Sequence, residues 1–70
     1  MTPDLAKFGK TELLAAKAAL DRADTALSQA RGIFISARHV PGAVSINSAL
    51  VQIHYLAAQI DRALAAKLSS

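Results

Sequence analysis

The stretch Arg38-His39-Val40-Pro41-Gly42 separates two long segments rich in alanine and leucine. A residue that precedes proline avoids helical backbone angles, and glycine readily takes a positive φ. The stretch therefore predicts a break between two helices, with a turn over about residues 39–44. Ser45 is a suitable N-cap, so we expect the second helix over about residues 45–68.

The segment before the break has a heptad pattern. A large apolar residue recurs every seventh position, at Leu13, Leu20, Leu27 and Phe34, and an alanine follows each of them by three. This spacing is typical of a helix that packs along one seam. Gly32 costs such a helix about 1 kcal/mol relative to alanine. Because the pattern continues across it, we predict one helix over about residues 11–38. The alternative is a helix that ends at Arg31 with Gly32 as its C-cap.

The first residues predict a short additional helix over about residues 3–9. Thr2 can cap a helix, Pro3 is tolerated at its first position, and Asp4 suits the positive end of the helix dipole. Gly9 weakens any helix that runs through it. We therefore expect a separate start for the long helix near Thr11.

The segment after the break repeats the same order. Three isoleucines are spaced by seven, at Ile46, Ile53 and Ile60, and a further apolar column contains Leu50, Ala57 and Leu64. The sequence thus predicts an all-α protein, in which residues 1–70 form a single antiparallel helical hairpin. A turn over residues 39–44 would place Phe34 near Ser48 and Leu20 near Ala63.

Each helix has more apolar columns than a two-helix seam needs. The column Ala19, Ala26 and Ile33 and the column Leu50, Ala57 and Leu64 would stay partly exposed in a monomer, and exposed apolar strips indicate an interface. A chain of 70 residues without cysteine also has few other means of stabilising a small core. We predict a homo-oligomer, with a dimer favoured, as a four-helix bundle or a higher assembly. The predicted interface residues are Leu13, Leu20, Leu27, Phe34, Ile46, Leu50, Ile53, Leu56, Ile60 and Leu64.

Several classes of function are disfavoured. The acidic residues do not pair with His39 or His54 at helical spacing, and the sequence has no phosphate loop, nucleophile elbow or metal-binding helix motif. We therefore expect no catalytic residues, no metal site and no cofactor. No apolar run is long enough to cross a membrane, and a cytoplasmic location is the simplest expectation. The net charge of +3 permits weak attraction to nucleic acid, but the basic residues form no dense stripe.

Two groups of residues are candidates for binding. The first lies beside the apolar stripe of the second helix and would contact a protein partner: His54, Tyr55 and Arg62. The second would hold a small anion at the start of that helix, where free backbone N–H groups are expected: Arg31, Arg38, His39, Ser45 and Ser48. For both groups, an ordinary solvated surface is the simpler interpretation.

The function predicted from these observations is that of a small non-enzymatic interaction protein. It would self-associate and modulate another macromolecule by binding it, in the manner of bacterial or phage inhibitors and adaptors. A first alternative is an oligomeric sponge for a small anionic ligand such as a cyclic nucleotide. Residues 40–65 resemble the C-terminal helix of phage hairpin proteins that sequester such ligands, in the proline near the start and the closing Arg62-Ala63-Leu64-Ala65. The tryptophan expected in that helix is missing. A second alternative is a weak nucleic-acid-binding regulator.

Overall fold

Two long helices form an antiparallel hairpin in the computed structural model, which describes residues 5–69. Helix α1 covers Lys10–Ser36 and helix α2 covers Val40–Ser69. The predicted all-α hairpin is confirmed, and α1 continues through Gly32 as expected. The molecule measures 49 × 22 × 15 Å, so the hairpin is long and thin.

Among residues 5–9, which precede α1, Leu5–Lys7 forms a 3₁₀ turn. It replaces the longer helix that we expected over residues 3–9, although the predicted start at Thr2, Pro3 and Asp4 lies outside the described residues. Gly9 is the N-cap of α1, with extended backbone angles, and makes no side-chain cap. The separate start of the long helix is therefore confirmed.

The position of the turn was predicted wrongly. Helix α2 begins at Val40 and not near Ser45, which lies inside the helix. Pro41 fits in the first turn, where its missing N–H has no intrahelical partner to lose. Gly42 does not take a positive φ. That conformation belongs to Arg38, at φ 58°.

Helix α1 ends in a Schellman motif around Arg38. The N–H of His39 donates to the carbonyl of Phe34 at 2.8 Å, and the N–H of Arg38 donates to the carbonyl of Ile35 at 3.0 Å. These two bonds satisfy carbonyls that the end of a helix leaves without partners. The motif often includes a contact between its first and last side chains. Here the rings of Phe34 and His39 supply it, with centroids 5.4 Å apart.

His39 also begins helix α2. Its Nδ1 accepts a hydrogen bond from the N–H of Gly42 at 3.0 Å, and its carbonyl accepts one from the N–H of Ala43 at 3.2 Å. The imidazole therefore acts as the N-cap side chain, a role that Ser, Thr, Asp or Asn usually fills. A glycine is required at position 42 because a side chain would not fit there, and not because of its φ. A Cβ at this position would lie 2.6 Å from Cδ1 of Phe34.

The core lies between the helices and is densest towards their open end. Leu13 and Ile60 are 1% and 2% exposed, and Leu50 and Leu64 are also buried. Leu5, Leu20, Leu56 and Ala63 pack around this cluster. The remaining large seam residues are half-buried: Leu27, Phe34, Ile46 and Ile53.

One of the two extra apolar columns was assigned wrongly. Leu50 and Leu64 are buried and Ala57 is half-buried, so this column of α2 packs against α1 within the hairpin. The column of α1 behaves as predicted, because Ala19, Ala26 and Ile33 are exposed. Helix α2 turns both this column and the column of Ile46, Ile53 and Ile60 towards α1. The shorter turn also shifts the register, so that Phe34 borders Ala43 and Val44.

Glycine-to-alanine substitutions in the two helices should have opposite effects. At Gly32 an added Cβ meets nothing within 4 Å, so Gly32→Ala should stabilise the protein by about 1 kcal/mol through helix propensity. At Gly42 the same change forces the Cβ against Phe34 and His39, so Gly42→Ala should lower the free energy of unfolding. Urea denaturation of both variants measures the difference. A stabilising Gly42→Ala would contradict the packing of the junction.

The left-handed conformation of Arg38 predicts a stabilising substitution. An L-residue pays about 1–2 kcal/mol for this conformation, and glycine does not, although glycine gains entropy in the unfolded chain. Arg38→Gly should therefore raise the free energy of unfolding by about 0.5–1 kcal/mol. The matched control is Ala37→Gly, at φ −80°, which should destabilise the protein. If both glycines lowered the thermal midpoint, the Schellman motif would be wrong.

Candidate functional site

Three polar pairs join the two helices along one side of the hairpin. Lys17 forms a salt bridge with Asp61, the carboxylate of Asp24 contacts Nε2 of His54 at 3.0 Å, and the guanidinium of Arg31 donates to Oδ1 of Asn47 at 3.0 Å. The pairs recur every seven residues in both helices and are symmetric about residue 39. We call this set the polar ladder. All three pairs form together in this one register of α2 against α1.

This ladder was not predicted from the sequence. Arg31 was assigned to a candidate anion site, His54 to a candidate partner surface, and Lys17 and Asp24 to no site. Lys17, Asp24 and Arg31 are half-buried beside the leucine column of α1. The sequence does contain a signal for the polar ladder. Lys17, Asp24 and Arg31 are spaced by seven, and so are their partners on α2.

The best-defined charge interaction in the ladder is that of Lys17. The hydrogen bond that the Lys17 ammonium donates to Asp61, together with the negative charge of Asp61, raises the pKa of Lys17 above its ordinary value of 10.5, and Asp21 adds a smaller attraction. Both partners are partly exposed, so solvent screens the pair and it contributes to register more than to stability.

The opposite flank of α1 carries alanine where the first carries the ladder. Leu13, Leu20 and Leu27 are each followed by an alanine after three residues and by a ladder residue after four, which places the two sets on opposite sides of the seam. We call this flank the alanine face; it consists of Ala16, Ala19, Ala23, Ala26, Ala30, Ile33 and Ala37. Ala23 and Ala30 are half-buried and the others are exposed. The face contains no charged side chain between Glu12 and Arg38.

A groove opens at one end of the alanine face. It has a volume of about 360 Å³ and is lined almost entirely by apolar groups. Its walls come from the 3₁₀ turn and both helices: Leu5, Phe8, Glu12, Leu13, Ala16, Ala19, Leu20, Leu56 and Ile60. The groove is open to solvent, and it partly exposes Leu20 and Leu56 beside the buried core.

A second apolar surface runs along α2, and its first two residues, Val40 and Val44, also line a pocket with Phe34 and Ile35 of α1. Val40, Val44, Val51 and Tyr55 are spaced at helical intervals and each is more than half exposed. Tyr55 is 62% exposed. We call these four residues the outer face of α2.

The three residues predicted to bind a partner do not form one group. Tyr55 belongs to the outer face of α2, and Arg62 is exposed. His54 contacts Asp24 across the hairpin and is part of the polar ladder. Of the three, the structure places Tyr55 in an apolar surface.

The predicted anion site does not lie at the start of a helix, as the prediction required. Ser45 and Ser48 lie inside α2, where N–H groups donate to carbonyls four residues earlier. At the true start Pro41 has no N–H, and those of Gly42 and Ala43 donate to His39. Arg31 donates to Asn47. The expectation that these side chains surround free backbone N–H groups was wrong.

The predicted oligomer-interface residues belong largely to the seam of a single hairpin. Leu13, Leu50, Ile60 and Leu64 are buried within one chain. The other six are half-buried: Leu20, Leu27, Phe34, Ile46, Ile53 and Leu56.

Two kinds of site find no support in the described residues. Between Leu5 and Ser69 no three acidic or histidine side chains are grouped as metal ligands. Over the same residues neither helix combines the length and the apolar character that a membrane span requires.

Comparison with known proteins adds no assignment: no family model, no curated protein and no solved structure matches this chain.

The raised pKa of Lys17 predicts how the ladder responds to alkaline pH. A group with a raised pKa in the folded state stabilises that state below its unfolded pKa and ceases to do so as pH rises through the folded one. The wild type should therefore be more stable than Asp61→Asn at pH values below 10.5, and the difference should disappear above it as Lys17 loses its proton. Urea denaturation across this range measures the difference.

The control for this experiment is Asp24→Asn, which alters a rung that does not contain Lys17. Its effect on the free energy of unfolding should not change over the same alkaline range. A difference between wild type and Asp61→Asn that persisted after Lys17 had titrated would show that the pair does not act through its charges.

Proposed function

We propose that this chain is a small non-enzymatic helical interaction protein that self-associates and binds another protein. It would modulate that protein, most simply by inhibiting it, through occupation of a surface. The observation that supports the proposal is the apolar surface that one hairpin leaves in water. The described core contains Leu13, Leu50, Ile60 and Leu64, whereas Ile33, Ile35, Val51 and Tyr55 are each at least 60% exposed.

The accessible surface of the hairpin gives this observation a magnitude. The chain exposes 5075 Å². A compact monomer of 7.3 kDa would expose about 4,200 Å². The hairpin therefore exposes more surface than a compact chain of its mass, as its length of 49 Å implies.

Two separate apolar surfaces favour two kinds of contact. The alanine face and its groove lie on one flank of the hairpin and suit a second copy. Val51 and Tyr55, on the outer face of α2, are more than 60% exposed and suit a contact with a different protein. Tyr55 is the residue there that most resembles a binding hot spot, since tyrosine is enriched at such positions.

The two alternatives gain no observation from the described residues. A sponge for an anionic ligand needs donors at the start of α2, and His39 already engages those of Gly42 and Ala43. A nucleic-acid-binding regulator needs a dense basic surface, and Lys17 and Arg31 are paired across the hairpin.

The proposal predicts a dimer in solution. Sedimentation equilibrium at micromolar concentration should give twice the mass of the 7.3 kDa chain. A well-folded monomer under these conditions would contradict the proposal.

The proposal also predicts a loss of partner binding in Tyr55→Ala. This variant should remain dimeric but should no longer retain a partner protein from an extract of the host.

Thr25→Ala is the matched control for that variant, because Thr25 is exposed on α1 and lies outside both apolar surfaces. It should retain the same host protein as the wild type. Equal retention by Tyr55→Ala would remove the outer face of α2 from the proposal.

A further inference from the structure

The groove and the side chain of Ile33 are complementary features on one flank of the hairpin. The groove is an apolar hollow beside Ala16 and Ala19. Ile33 is 68% exposed and is the one large side chain on the alanine face. Seventeen residues separate Ala16 from Ile33, which is about 25 Å along a helix. A second copy that presents Ile33 at the groove would fill a site that is incomplete in one chain.

We propose that two copies of this chain pair their α1 helices antiparallel, so that Ile33 of each copy fills the groove of the other. This inference rests on the proposed self-association and names its surface and orientation. The two-fold axis passes between Ala23 and Ala26. Both contacts are then identical, as a closed two-fold dimer requires.

The sequence of the alanine face fits this register at every layer. Its positions alternate in steps of three and four, the spacing of a helix pair that interlocks along one stripe. With the axis between Ala23 and Ala26, Ala19 lies opposite Ala30 of the second copy. Ile33 then lies opposite Ala16, which pairs a large side chain with a small one. Alanine layers bring the helix axes to the short end of the usual range of about 8–10 Å.

The charges at the ends of the alanine face favour the antiparallel orientation. Glu12 lines the groove of one copy, and the same register brings it near Arg38 of the other. Arg22, which borders the face, lies beside the uncharged Gln29 of the second copy. A parallel pair would instead place the two Glu12 carboxylates together and would leave both grooves without Ile33. Like charges at such positions destabilise a helix pair.

The alanine face, the groove and the exposed edges of Leu20 and Leu27 form a continuous surface on the flank opposite the polar ladder. The flank of the polar ladder carries Lys17, Asp24 and Arg31 where the opposite flank carries alanines. A second copy on the ladder flank would bury these charged side chains, which is costly.

Cysteine cross-linking tests the orientation, because the chain contains no cysteine. Ala19→Cys and Ala30→Cys are prepared separately, unfolded, mixed in equal amounts, refolded and oxidised by air. The proposal predicts a disulfide-linked dimer in the mixture. It predicts no disulfide in either variant alone. There the cysteines of the two copies would lie 11 residues apart along the helix pair, which is about 16 Å. A disulfide requires Cα atoms about 4.4–6.8 Å apart.

Cross-linking in each variant alone would indicate a parallel pair and would overturn the proposal. A dimer by sedimentation that gives no link in any sample would mean that a different surface mediates self-association. That result would overturn this inference but leave the proposed function intact. A monomer by sedimentation would contradict both.

The contact of Ile33 is tested by a matched pair of exposed residues. Ile33→Ala should weaken dimerisation by about 100-fold or more, because each dimer loses two buried isoleucine side chains. Val51→Ala is the control, since Val51 is 67% exposed on the outer face of α2. It should leave the dimer dissociation constant unchanged. Equal effects of the two variants, or no effect of Ile33→Ala, would overturn the assignment of the groove.

Discussion

His39 joins the two helices with four interactions, and the register of the hairpin depends on them. Its N–H closes the end of α1 on Phe34, and its ring packs against the same residue. Its Nδ1 and carbonyl accept the N–H groups of Gly42 and Ala43 at the start of α2. A junction of three residues between the helices leaves little freedom in their relative position. The symmetry of the polar ladder about residue 39 follows from this.

That register gives the hairpin two unlike flanks. On one flank Lys17, Asp24 and Arg31 meet polar partners from α2, so charge is paired and solvated there. On the other flank alanines line α1, and a groove stays open beside Leu20 and Leu56. A slip of α2 by a few residues would separate the polar pairs. The fold thus leaves exposed apolar surface on the flank opposite the ladder, in addition to the outer face of α2.

Much of the fold was predictable because helical periodicity is a strong signal. The heptads gave both helices, the seam and the continuation of α1 through Gly32. The turn was misplaced because Pro41 and Gly42 are usual signals of a break, yet both also fit the first turn of a helix. His39 is not a residue that sequence rules expect at an N-cap.

The candidate surfaces were only partly predictable for the same reason. The exposed column Ala19, Ala26 and Ile33 follows from α1 alone, and it was identified from the sequence. The polar ladder and the groove depend on the register between helices, which the misplaced turn shifted. The groove also needs Leu5 and Phe8, which the chain before α1 brings over the core.

Small-angle X-ray scattering tests the central claim most directly, because it reports mass and length together. An antiparallel pair of hairpins centred near the middle of α1 lies side by side. The account therefore predicts twice the 7.3 kDa mass with a maximum dimension still close to the 49 Å length of one hairpin. The mass of a single chain, or a doubled mass with nearly doubled length, would contradict it.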